Sequence, residues 1–238
     1  SARVFACAPT NVGTANLYSK IVEIVPDAAL VMPLSRIPST TVVTSQDPKA
    51  RVVCSTISGR AGSVLDCEKF DVILIDEAAQ TMEAWIWALF RPEVKHIVMV
   101  GENHQLPAVV SDLGAGFGHN RSMMERLLSC DYPCRHLTTQ FRMHPEIVAY
   151  PNTKFYDGTL TTAYTSASES GEPVYQIVAC DGECTSIGTS YQNQEEAHLC
   201  LKLAKHLASV FESVVIISPY QAQTRLLLKL GFEDVHTI

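Results

Sequence analysis

Short apolar runs rich in β-branched residues recur along this chain, and most read as hydrophobic on both faces. They lie at 3–8 (RVFACA), 51–55 (RVVCS), 71–76 (DVILID), 96–100 (HIVMV), 135–139 (RHLTT), 174–179 (VYQIVA), 213–218 (SVVIIS) and 234–238 (DVHTI). A strand without a polar face is covered on both sides, the condition of strands in a parallel sheet flanked by helices. Amphipathic stretches separate many of these runs. In 194–209, Ala197, Leu201, Ala204 and Ala208 recur at helical spacing. The alternation predicts an α/β, doubly wound chain.

The turn-prone segment 129–135 (SCDYPCR) interrupts the alternation, which then resumes. Two domains are therefore expected, over 1–134 and 135–238, each with its own sheet. Segment 157–173, rich in Gly, Ser and Thr, is expected to be an exposed loop. The 238 residues are 47% hydrophobic and 18% charged, which excludes a disordered chain. No apolar run approaches the roughly 20 residues of a membrane-spanning helix. The N-terminus reads as a strand entering a loop, not as a secretory signal.

Eight cysteines are too few for a disulfide scaffold in a chain of this length, and Cys7, Cys54, Cys180 and Cys200 sit in apolar segments. A reducing compartment, cytoplasm or nucleus, is expected. The pairs Cys130/Cys134 and Cys180/Cys184 share a spacing, but they lack the two-residue gap of a zinc knuckle and lie far apart. Zinc is not expected. A net charge of −7 argues against a simple electrostatic nucleic-acid binder. It leaves room for a protein that grips a strand through amides, hydroxyls and a few basic side chains.

The strongest local pattern is VILIDEAAQ at 72–80, where Asp76 and Glu77 emerge at the carboxyl end of a buried strand. Ligands of open α/β sheets bind at that edge. Phosphoryl transfer from a nucleoside triphosphate needs one carboxylate for the magnesium shell and another for the attacking water. Asp76 and Glu77 can divide that work, or they can simply cap the next helix. In IVMVGENHQLP at 97–107 a second strand ends in a turn at Gly101. Gln105, just beyond, can donate to a terminal phosphate or bond its own loop. In TQFRMHP at 139–145, Arg142 can act as an arginine finger from the second domain or form a surface ion pair.

The series ACAPTN, VVCST, LIDEAAQ, VGENHQLP, QFRMHP, FYDGTL, GTSYQNQEEA and IISPYQAQ resembles, in order, superfamily 1B helicases of the up-frameshift-like type. That group includes the helicases of nonsense-mediated decay, related RNA- and DNA-processing helicases and nidovirus helicases. The resemblance runs from Ala6 to Ile238. It implies two tandem RecA-like (P-loop NTPase) domains, ATP and Mg2+ as cofactors, and ATP-driven 5′-to-3′ translocation on single-stranded RNA or DNA by a monomer.

By matching position, Asp76 and Glu77 are the magnesium and water carboxylates, Gln105 the phosphate sensor and Arg142 the second-domain arginine. Gly101 and Gln140 lie beside the nucleotide. Pro9, Thr10, Ser55 and Thr56 touch the sugar-phosphate backbone, where short hydroxyl side chains suit sequence-independent contact. Pro219, Tyr220 and Gln223 help position the strand, or mark a plain strand-to-helix junction with Pro219 in the first helical turn.

Three departures qualify the resemblance. The family's glycine-rich phosphate loop is absent from these residues. Its nearest imitation, GTANLYSK at 13–20, puts Tyr18 where a glycine must stand. The family's motif ending in Gln-Gly and its last arginine would follow DVHTI, so both domains are expected to be incomplete at the chain ends and this chain alone to hydrolyse ATP negligibly. Position 102 is Glu where the family usually has Asp. Trp85 and Trp87 are expected to split between core packing and a partner or domain contact. A helicase-derived, non-catalytic binding or regulatory module is the alternative to a motor. An unrelated nucleotide enzyme such as a kinase would leave the second-domain motifs unexplained.

Overall fold

The structure, a computed structural model, describes residues 2–61, 63–164 and 173–237. The chain forms two compact units, Ser1–His136 and Leu137–Ile238.

The first unit runs through β1 (Val4–Ala8), α1 (Asn11–Ile24), β2 (Ala29–Leu30), β3 (Val52–Thr56), α2 (Ile57–Arg60), β4 (Val72–Ile75), α3 (Glu83–Trp87), β5 (His96–Met99), α4 (Asp112–Gly116) and α5 (Met123–Leu128). Its five strands form one parallel sheet in the order β2-β3-β1-β4-β5. The central strand explains the all-apolar pattern. Phe5 and Cys7 enter a cluster with Val53, Ile73, Ile75, Phe70 and Ile86 on one face. Between them, Ala6 enters a second cluster on the other face with Cys54, Tyr18, Leu30 and Met32. Alternate side chains thus feed two cores, and no position of β1 needs a polar residue.

GTANLYSK is ordinary helix inside α1, with Tyr18 fully buried and its hydroxyl 2.8 Å from that of Thr44. Among the described residues no helix is long and apolar enough to cross a membrane.

The second unit contains β6 (Thr139–Gln140), α6 (Pro145–Phe155), β7 (Thr161–Thr162), β8 (Cys184–Ile187), β9 (Ser190–Asn193), α7 (Gln194–Leu207), β10 (Ile216–Ser218), α8 (Gln221–Lys229) and β11 (Val235–Thr237). Its described strands pair two by two: β6 with β7 and β10 with β11 in parallel, β8 with β9 as an antiparallel hairpin. Ala197, Leu201, Leu227 and Val235 form its core.

Several expectations change here. Residues 174–179 form no strand, because an apolar run needs a ladder partner and none pairs with it among the described residues. The hairpin Cys184–Asn193 was not expected from its polar sequence. Gly188, at φ +61°, supplies its turn. The candidate strand 135–139 gives way to β6, which shares only Thr139 with it, and 213–218 contracts to β10. Segment 157–173 carries the short strand β7, and its residues 165–172 lie outside the described ones. In α7, Ala197, Leu201 and Ala204 are buried, but Ala208 is exposed because the helix ends at Leu207.

Candidate nucleotide and nucleic-acid site

In the first unit the parallel sheet brings its chemically capable residues to one edge. The register aligns Ala8 with Thr56 and Cys7 with both Ser55 and Ile75. Ile75 in turn aligns with Met99. The segments after β1, β3, β4 and β5 therefore leave the carboxyl edge side by side, carrying Thr10, Thr56, Asp76 with Glu77, and Gly101 with Gln105. This is the edge at which parallel sheets take ligands.

Asp76 and Glu77 are half-buried. Asp76 is anchored by its own backbone, whose N–H donates to the Cys7 carbonyl (2.8 Å). Its Oδ1 accepts the Glu77 N–H (3.0 Å). Glu77 Oε2 accepts from Gln80 Nε2 (3.0 Å). Glu77 is the N-cap residue of the single 3-10 turn Ala78–Gln80, but its side chain makes no capping hydrogen bond, and the N-cap of α3 is Met82. One oxygen of each carboxylate, Asp76 Oδ2 and Glu77 Oε1, has no partner among the described residues. Glu77 sits at φ +52° and ψ +40°, the left-handed region that costs an L-residue about 1–3 kcal/mol.

Gly101 meets this turn closely. A β-carbon there would stand 2.9 Å from the backbone nitrogens of both Ala78 and Ala79. Only glycine lets the end of β5 lie against the acidic turn, whose Ala78 N–H donates to the Val100 carbonyl (2.8 Å). Beyond it, the Glu102 carboxylate turns back on its own loop, accepting from the His104 N–H (2.9 Å) and lying 2.8 Å from its Nδ1. Gln105 is exposed, and its side chain makes no loop hydrogen bond among the described residues. It lines a cavity of about 240 Å³ with Ala79, Asn103, Asn120 and Arg121. Sequence reasoning missed Asn120 and Arg121, which precede α5 outside every recognised motif. Arg126 holds α5 to α3 by donating from Nε to both Glu83 oxygens (3.0 and 2.8 Å), and this keeps the Glu83 carboxyl below the usual range.

Thr10 and Thr56 are both helix N-caps. Thr10 Oγ1 accepts the Gly13 N–H (3.0 Å), and Thr56 Oγ1 accepts the Gly59 N–H (3.0 Å). Thr10 is exposed beside half-buried Pro9, whereas Thr56 is mostly buried. Ser55 is buried, and its hydroxyl donates to the Val31 carbonyl (2.6 Å). Its proton is therefore committed inside the fold.

In the second unit, Gln140 braces its own turn. Its Oε1 accepts the N–H groups of Arg142 (2.9 Å) and Met143 (2.8 Å), and its Nε2 donates to the Met143 carbonyl (2.7 Å). That leaves Arg142 exposed, with no ion pair among the described residues. Tyr220 is half-exposed and packs edge-on against Tyr191. Pro219 precedes the N-cap Tyr220, outside the first helical turn, because α8 begins at Gln221. Gln223 is buried and engaged at both ends, accepting the Asn193 N–H (2.8 Å) and donating to the Asn193 carbonyl (3.0 Å).

Two family models, each described as an AAA domain, match residues 36–112 and 119–236. The regulator of nonsense transcripts 1 of Dictyostelium discoideum is 30% identical over 190 residues, covering 74% of this chain and 14% of that protein. Helicase SEN1 of Saccharomyces cerevisiae is 32% identical over 199 residues, 75% of this chain and 9% of that protein. The chain belongs to the superfamily 1B helicases. The ATP-dependent helicase upf1 of Schizosaccharomyces pombe is 30% identical over 190 residues, 73% of this chain and 20% of that protein. The superfamily 1B chain thus spans between 9% and 20% of the length of these three relatives. Its α/β architecture with a parallel-sheet core agrees with the RecA-like fold of such helicases.

Trp85 and Trp87 are corrected by the same structure. Both are substantially exposed, and Ile86 between them is the core residue of α3. Trp87 donates from Nε1 to Glu83 (3.0 Å) and packs on Phe90.

Proposed function

We propose that the protein containing this chain is an ATP-dependent helicase or translocase acting 5′ to 3′ on single-stranded RNA or DNA. The observation that carries this reading is the shared carboxyl edge of the first sheet, where two carboxylates, a glutamine loop and two capping hydroxyls stand in strand order. Asp76 presents a hard oxygen, Oδ2, half-buried at that edge, a donor suited to a hydrated divalent cation. It would hold, through water, the magnesium of a bound nucleoside triphosphate, which would neutralise charge on the phosphate oxygens.

Glu77 Oε1 orients the attacking water and accepts its proton, while Gln80 fixes the other oxygen. Gln105 donates to the terminal phosphate, and Gly101 keeps its loop against the acidic turn. From the second unit, Arg142 supplies cationic charge for the phosphoryl oxygens, and Gln140 shapes the turn that presents it. Thr10 and Thr56 donate their hydroxyl protons to strand phosphates, and Pro9 lies beside them. Ser55 acts on the Val31 segment, and Gln223 holds α8 in place for Tyr220. The protein works as a monomer in cytoplasm or nucleus, with its cysteines free as thiols.

The test is ATP hydrolysis by the protein carrying this chain together with a phosphate-binding loop, with and without single-stranded RNA or DNA. Hydrolysis is expected to rise with strand and to fall about 10²- to 10⁴-fold in Glu77→Gln, with strand binding retained. Strand binding without any stimulated hydrolysis would leave a non-catalytic module.

A further inference from the structure

Resting on that reading of the strand track, we propose that the first unit also holds one nucleobase of the bound strand in a cavity between the β2–β3 connection and the starts of α1 and α2. The cavity measures about 610 Å³, within the roughly 300–1,000 Å³ of small-molecule sites. Val31, Met32, Pro33 and Val64 give it apolar walls, and Asn11, Arg36 and Gln46 give it polar groups.

The polar groups are open to a ligand. Gln46 is pinned by donating from Nε2 to the Met32 carbonyl (3.2 Å), which leaves its Oε1 as an acceptor. Neither the Arg36 guanidinium nor the Asn11 carboxamide has a partner among the described residues. The cavity therefore offers donors, acceptors and apolar walls together. A nucleobase matches that set, with two apolar faces and an edge bearing both donors and acceptors. A free phosphate has no use for apolar walls, and an aliphatic group would make no use of the Arg36 guanidinium or the Gln46 Oε1.

The location points the same way. Thr56 lines the cavity, and Asn11 directly follows Thr10. A strand whose phosphate rests on these two caps has a base next to the opening. Here the protein grips the strand by a base as well as its backbone, as its net charge of −7 favours.

The experiment uses the 238-residue chain and the shortest oligonucleotide it binds, with one abasic residue moved stepwise along the strand and Kd read by fluorescence anisotropy. One position is expected to lose affinity about 5- to 100-fold, with the others little changed. Val64→Trp, at an exposed wall of the cavity, is expected to weaken the intact strand by a similar factor and leave the strand abasic at that position unaffected. A flat abasic profile overturns the base site and leaves the strand track standing. So does an equal loss on both strands in Val64→Trp. Failure of every strand to bind overturns both.

Discussion

Glu77 combines a proposed catalytic role with an unfavourable backbone. Its φ of +52° would suit glycine, yet the chemistry needs a carboxylate there. Glu77→Gly is therefore expected to raise stability by about 1 kcal/mol in urea denaturation and to abolish strand-stimulated ATP hydrolysis. Equal or lower stability would show that the turn stores no strain. The pair Asp76–Glu77 was legible in the sequence because acids after a buried apolar run stand out. The strained backbone was not, since a positive φ leaves no mark when the residue is not glycine. Gln223 teaches the opposite lesson. Its motif suggested contact with the strand, but both ends of its carboxamide are taken up by Asn193.

That engagement matters most for the elements it joins. Gln223 lies in α8, and Asn193 ends β9 and caps α7 through the Glu196 N–H (3.0 Å). One side chain thus ties together a hairpin and two helices. Gln223→Leu is expected to destabilise the second unit by about 2–4 kcal/mol, because it leaves the buried N–H and carbonyl of Asn193 unpaired. Both tryptophans lie in the first unit, so the loss should appear in amide exchange of α7 and α8 with Trp fluorescence unchanged. Unaltered exchange would remove the latch. The first unit's strands were readable because each is apolar enough to serve two cores. The second unit's were less so, because its described strands are short, polar or both.

For the molecule as a whole, the first sheet ties stability to pH. Burial pushes the Cys54 thiol from an ordinary 9.0 up to about 12, and drives Cys7 up as well. Above pH 9 the unfolded chain releases these protons and the folded chain keeps them, so the unfolded state gains. Stability is full below pH 9 and is expected to fall between about 9 and 12 by up to about 1.4 kcal/mol per pH unit for each thiol. Urea midpoints measured across that range test this, and Cys54→Ala should flatten the slope. A slope unchanged in the variant would assign the loss to other groups.

The capping threonines carry one more consequence. Because Thr10 and Thr56 already accept from helix amides, the hydroxyl proton is what each has left to give, with Ser58 Oγ 3.4 Å from that of Thr56 as a competing partner. A hydroxyl that donates becomes a better acceptor, so a phosphate drawing on that proton tightens the first helical turn behind it. Four-residue α2 has little intrinsic order of its own. Occupancy of the proposed track and winding of that turn would then be a single cooperative event, each making the other more favourable.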